Sequence, residues 1–108
     1  MSAAKIAELN DQFRKHGVGN GRVMVTRSVR DLGPAFELAA LLKVRAFDAF
    51  TTDNDPHGEH DFGSFELEDR TVFWKFDYYD LALEHGSEDP SDPLKTCRVL
   101  TIMLAEDY

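Results

Sequence analysis

Six side chains able to bind a metal ion or move a proton, Asp53, Asp55, His57, Glu59, His60 and Asp61, stand together between Thr51 and Phe62. Carboxylate oxygens and imidazole nitrogens at that density are the ligand types of hard and borderline divalent cations, so the first chemistry to test is metal binding. Asp53-Asn54-Asp55-Pro56-His57-Gly58 reproduces the opening of a calcium loop, with oxygen donors at positions one and three and glycine at position six. The match then stops, because position five is His57 and position twelve, where a bidentate carboxylate closes the shell, is Ser64. A zinc-protease helix needs two histidines four apart. His57 and His60 are three apart and are flanked by Pro56 and Gly58, which break helices. As bases or nucleophiles, His57, His60 and Ser64 have no partner that spacing identifies. Asp, Asn, Pro and Gly are also the residues of tight connections, and the segment is read first as a structural loop, with a metal-binding protein or small metal-dependent enzyme as the alternative. No cofactor is expected.

Two further motif matches carry no chemistry. Asp61-Phe62-Gly63 spells the kinase magnesium motif, but no other kinase element accompanies it. Gly17-Val18-Gly19-Asn20-Gly21 resembles a phosphate-binding loop, yet it follows a helix and opens a strand, the reverse of what phosphate cradles do, and is read as a turn.

The elements that must hold the loop follow from periodicity. Ile6, Leu9 and Phe13 form the apolar stripe of a helix over 3–16, with Ser2 as N-cap, Arg14, Lys15 and His16 in the last turn, and Gly17 as terminator. A strand over 22–26 alternates Val23 and Val25 with Arg22, Met24 and Thr26. Gly33-Pro34 opens a second helix that should run to Phe50. After the loop, Phe65 and Leu67, then Trp74, Phe76 and Tyr78, alternate with polar residues as the two arms of a hairpin joined near Glu68-Asp69-Arg70. Asp92-Pro93 has the form of an N-cap followed by a first-turn proline, so a third helix is expected over the apolar segment ending at Leu104. The expected fold is α+β: a single small domain in the order α-β-α-β-β-α, with a small, mainly antiparallel sheet packed by helices. Its core should hold Leu9, Phe13, Val23, Val25, Leu41, Phe47, Phe65, Trp74, Phe76, Leu100 and Leu104.

With 108 residues, 43% hydrophobic and 30% charged, the chain can bury one core. No apolar run is long enough to span a bilayer and no basic-then-apolar leader opens the chain, so a cytoplasmic protein with no membrane contact is expected. Cys97 is the single cysteine and is read as a small buried hydrophobe.

The net charge of −8 is unevenly distributed. Residues 1–50 hold eight Lys/Arg against five Asp/Glu, and residues 51–108 hold four against fifteen. Such acidity repels phosphate, so direct nucleic-acid binding is not expected, whereas a basic protein surface would be attracted. If the acidic half docks a partner, Glu84, Glu88 and Asp89 in the polar connection, with Tyr78 and Tyr79 on the hairpin, are the residues to meet it.

The chain also resembles an uncharacterised bacterial family, a domain of unknown function found in small proteins of plasmids and other mobile elements. The resemblance lies in Leu9-Asn10-Asp11-Gln12-Phe13-Arg14, in Phe47 to Pro56, in Gly58 to Gly63, in Phe73-Trp74-Lys75 with Asp77-Tyr78-Tyr79-Asp80, and in Arg98 to Leu104. It brings no catalytic or binding residues with it. It implies a cytoplasmic bacterial setting and a mobile-element origin. Together with the acidity, this makes the leading expectation a non-enzymatic interaction protein, such as an anti-CRISPR-like or nucleic-acid-mimicking inhibitor of a host nucleic-acid-binding complex.

Overall fold

Alternation of apolar and polar residues dominates the second half of the chain, and it produces a four-stranded sheet in the order β1-β4-β3-β2. The computed structural model describes residues 2–108. Helix α1 (Ala3–His16) precedes β1 (Gly21–Val25), a single-turn α2 (Arg27–Arg30) and α3 (Pro34–Ala46). Strands β2 (Phe62–Leu67), β3 (Arg70–Tyr79) and β4 (Cys97–Leu104) follow, and a 3-10 turn, η1 (Ala105–Asp107), ends the chain. Both β2–β3 and β3–β4 pair antiparallel, while β1 runs parallel to β4. The expected α+β class and mainly antiparallel sheet are therefore found.

The order of elements is not as expected, because the last long segment is the strand β4 and not a third helix. Val99, Thr101 and Ile102 are β-branched and favour the pleated conformation, and β4 is central, buried along most of its length between β1 and β3. That position accounts for an apolar run without clean alternation. Asp92 does accept a hydrogen bond, from the Leu94 N–H at 2.9 Å, but it closes a local turn and starts no helix.

Helices and sheet share one core. Phe13, Val29, Phe36, Ala40 and Val44 pack against Val72, Trp74, Phe76, Leu100, Ile102 and Leu104 on one sheet face. Trp74 is fully buried, and Gly63 on β2 lies so close to its indole that a Cβ there would collide with Nε1. Of the other expected core residues, Val23 is misplaced: it is 46% exposed, on β1, an edge strand of the sheet among the described residues. Leu9, Val25, Leu41, Phe47 and Phe65 are half-buried. The opposite sheet face carries Phe62 and Phe73, whose rings meet each other at 5.1 Å and Tyr108 at 6.2 and 5.8 Å.

Two boundaries show their cause. Ser2 Oγ accepts from the Lys5 N–H, and Gly17, at φ +70°, closes α1 in the left-handed conformation. Helix α3 stops at Ala46, short of the expected Phe50, because Phe47 is extended and the Arg14 guanidinium takes the carbonyls of Val44, Arg45 and Phe47 at 2.7, 3.4 and 2.9 Å. The hairpin turn places Glu68 and Asp69 at φ +50° and +65°, a two-residue turn with both central residues left-handed and no glycine to ease it.

Candidate functional site

The polar organisation of the molecule begins on α1. Its buried face is Ile6, Ala7, Asn10, Phe13 and Arg14, so two polar residues four apart lie within an otherwise apolar stripe. A buried polar group must find partners, and these two find them in the loop and the sheet. Asn10 Nδ2 donates to the Glu59 carbonyl at 3.0 Å and to the Tyr78 hydroxyl at 2.9 Å, while its Oδ1 accepts from Arg98 Nε at 2.8 Å. Arg98 is itself buried, lies 5.5 Å from the Tyr78 ring and donates to the Pro90 carbonyl. Burial raises the Tyr78 pKa and lowers that of Arg98.

Arg14 makes the second set of connections. Beyond the end of α3, its guanidinium reaches Asp11 at 3.0 Å and lies 4.9 Å from the Trp74 ring and 5.5 Å from Phe50. Burial lowers its pKa, against the opposing influence of Asp11. Asp11 in turn meets His60 Nδ1 at 2.9 Å. The His60 ring stacks on Phe50 with centroids 3.9 Å apart, and its Nε2 faces Asp55 at 3.7 Å. A continuous chain, Arg14–Asp11–His60–Asp55, thus ties α1 to the loop. It borders an open groove of about 540 Å³ formed by Ala4, Ala7, Glu8, Asp11 and Lys15 with Gly58 and His60.

The six candidate ligands of the loop do not share one centre. Asp55 is buried and accepts from the Glu59 and His60 N–H groups, each at 3.2 Å, while its own N–H bonds the Thr51 carbonyl at 2.8 Å. Asn54 is bound to Ala49 and Thr51. Asp53 and His57 are exposed. Glu59 and Asp61 are half-buried, and burial raises both carboxyl pKa values, helped by the charges of Asp61 and Asp55 on Glu59 and of Asp55 and Asp77 on Asp61. Among the described residues no group of three or more His, Cys, Asp and Glu is arranged to hold a metal ion. Only Asp55 and His60 of the set are brought together, with Asp11, which the spacing did not indicate.

The connection after β3 is built differently. Asp80 Oδ1 accepts from the Glu84 N–H, Asp89 Oδ1 from the Ser91 N–H and Asp92 Oδ1 from the Leu94 N–H, so each closes a turn within its own segment. The Glu84 bond lowers the carboxyl pKa of Asp80, and the Ser91 hydroxyl, followed by the Ser91 N–H, lowers that of Asp89. Glu84 and Glu88 are exposed. Between the turns, Leu81 and Leu94 project 58% and 79% exposed. With Asp80, His85, Gly86, Glu88 and Lys95 they line a groove of about 400 Å³. Tyr79 sits beside it, paired with Gly86, whereas Tyr78 faces the other way into the Asn10 network.

Sequence reasoning missed Asn10, Asp11, Arg14 and Arg98 as a connected set, although Asn10 and Arg14 recurring four apart on the apolar stripe of α1 were a visible signal. It also passed over Leu81 and Leu94, which lie in a polar connection whose few apolar residues short-range periodicity cannot interpret.

A helix-backed four-stranded sheet with an internal arginine–carboxylate–histidine chain and an outward acidic connection defines a small mixed α+β domain. The chain belongs to the family described as a protein of unknown function, DUF3768, whose sequence model matches residues 25–107. Helix α1, which supplies Asn10, Asp11 and Arg14, precedes the matched region. No curated protein and no solved structure matches the chain. Among the described residues no helix is long and apolar enough to cross a membrane.

Proposed function

We propose that the chain is a non-enzymatic interaction protein that docks a basic protein surface through the connection between β3 and β4. The observation that carries this is the exposure of Leu81 and Leu94 in a groove bordered by Asp80 and Glu88, close in sequence to Glu84. Apolar anchors inside a charged rim are the usual composition of a protein interface, with the anchors contributing affinity and the rim contributing steering. Acid–base chemistry at the other groove is disfavoured by geometry, since both ring nitrogens of His60 face carboxylates already. An inhibitor from a mobile element that occupies the nucleic-acid-binding surface of a host protein is one specific form of this function, supported by the acidity of the second half.

The test begins with a partner captured from the native host by crosslinking and then purified. Its association rate should fall steeply as salt shortens the range of charge attraction below about 8–10 Å. Glu84→Lys with Glu88→Lys should slow association, and Leu94→Ser should speed dissociation, all with the thermal midpoint of the domain unchanged. Asp89 is left in place because it holds the Ser91 turn. A partner indifferent to salt and to all three substitutions would refute the proposal.

A further inference from the structure

Helix α3 carries apolar residues on two faces. Phe36, Ala40 and Val44 enter the core, yet Leu38 and Leu42 stand 57% and 55% exposed on the other side. A helix apolar all round is normally covered all round. We propose that a second copy of this chain covers it, α3 packing antiparallel on α3 about a two-fold axis level with Ala40.

The sequence of the exposed stripe is complementary to itself in that arrangement. Residues equally far from Ala40 in opposite directions lie level, so Leu38 of one copy faces Leu42 of the second copy, and the contact occurs twice, as an isologous interface requires. At about 1.5 Å rise and 100° per residue, Leu41 flanks the stripe on the same side as Glu37 and meets Leu41 of the second copy. Glu37 comes within about 3 Å along the axis of Arg45 of the second copy, by the same rise. Among the described residues neither Glu37 nor Arg45 has an ion-pair partner within its own chain. Lys43, by contrast, has its Nζ 5.9 Å from the Phe65 ring of its own chain. Arg30, Pro34, Glu37, Leu38 and Leu41 already enclose a groove of about 380 Å³, a recess for the leucines of the second copy. The charge that complements this face is its own. It needs no contribution from the acidic connection and is independent of the partner proposed there.

Sedimentation velocity on the intact chain, from about 1 to 300 µM, spans the affinity expected of a single helix pair, which falls below the standard interface size. The expected result is a monomer–dimer equilibrium. Leu38→Asp with Leu42→Asp should weaken it at least about tenfold, as loss of central apolar anchors does. Glu37→Lys and Arg45→Glu should each weaken it, and the two together should restore it to within about twofold, since the swap regenerates the pair. Circular dichroism confirms that each variant remains folded, as expected for substitutions at solvent-facing positions. A monomer at every concentration, a dimer that survives both aspartates, or one that the double charge swap fails to restore would each overturn the proposal.

Discussion

The two acidic connections of this molecule, residues 51–61 and residues 80–96, look alike in composition and behave in opposite ways. In the first, Asp55 is buried beneath its own loop and His60 is held between two carboxylates, so the segment is fixed to α1 through Asp11 and Arg14. In the second, Asp80, Asp89 and Asp92 each close a turn within a few residues, and the remaining carboxylates face water. The difference lies in what long-range polar partners exist. Asn10, Asp11 and Arg14 offer the first loop donors and acceptors from α1. For the second, Asn20 donates to Pro93 at 3.3 Å and buried Arg98 to Pro90, both backbone carbonyls, leaving its carboxylates to local turns. Density of Asp and Glu in a sequence does not tell which regime applies. The position of the nearest unsatisfied helix residue does.

The sharpest way to break this contrast is to remove one carboxylate from each loop. Asp55→Ala leaves the Glu59 and His60 N–H groups without their acceptor in a buried setting, and should cost about 2–3 kcal/mol in urea denaturation. Glu84→Lys with Glu88→Lys should change stability by no more than about 0.5 kcal/mol, as exposed positions do. Equal costs in the two loops would erase the distinction.

Protonation gives a second comparison of smaller size. Burial raises the Asp61 carboxyl pKa above its ordinary 3.8, so the folded state holds that proton more tightly than the unfolded chain. Its contribution is therefore favourable below pH 3.8 and is lost as pH rises through the raised folded value, leaving Asp61 a liability at neutral pH. Asp61→Asn should raise the unfolding free energy at pH 7, by under about 1 kcal/mol once solvent screening is allowed for, and the gain should shrink towards acid pH. A loss of stability at pH 7 would mean that the carboxylate has a favourable partner in the folded state.

The pattern of what the sequence made legible follows from range. Ser2, Gly17, Gly33 and Pro34 act on their immediate neighbours, and the helix starts and stops they predicted are where the chain has them. The hairpin was legible for the same reason. The end of α3 was not, because the Arg14 guanidinium that takes its last carbonyls comes from thirty residues away. Residues 97–104 misled because a strand buried on both faces has the same apolar density as a buried helix, and only the flanking strands separate the two. In the candidate site, Asp55 and His60 were visible as types, but their partner Asp11 sat on a helix read only for its apolar stripe. Leu38 and Leu42 of α3 were not legible as surface, since periodicity marks an apolar side without revealing whether the rest of the chain is large enough to cover it.

The last comparison concerns acid pH and the second connection alone. Hydrogen bonds from Glu84 and His85 hold the Asp80 carboxyl below the ordinary range, and those from Ser91 do the same for Asp89. The sign is opposite to that of Asp61: these bonds stabilise above the unfolded pKa of 3.8 and are lost as pH falls through the depressed folded values. Because both carboxylates bond only to nearby backbone and side chains, their loss should open the turns and leave the core intact. Amide hydrogen exchange followed by NMR should show the Glu84 and Ser91 N–H groups losing protection as pH drops towards about 3, after correction for the intrinsic rate, while Trp74 and Ile102 on the central strands stay protected. Asp80→Ala and Asp89→Ala should reproduce that local opening at neutral pH with little change in the global midpoint. If either substitution unfolds the domain as Asp55→Ala does, the second connection is wired into the core like the first, and its groove is a structural feature and not a surface presented to a partner.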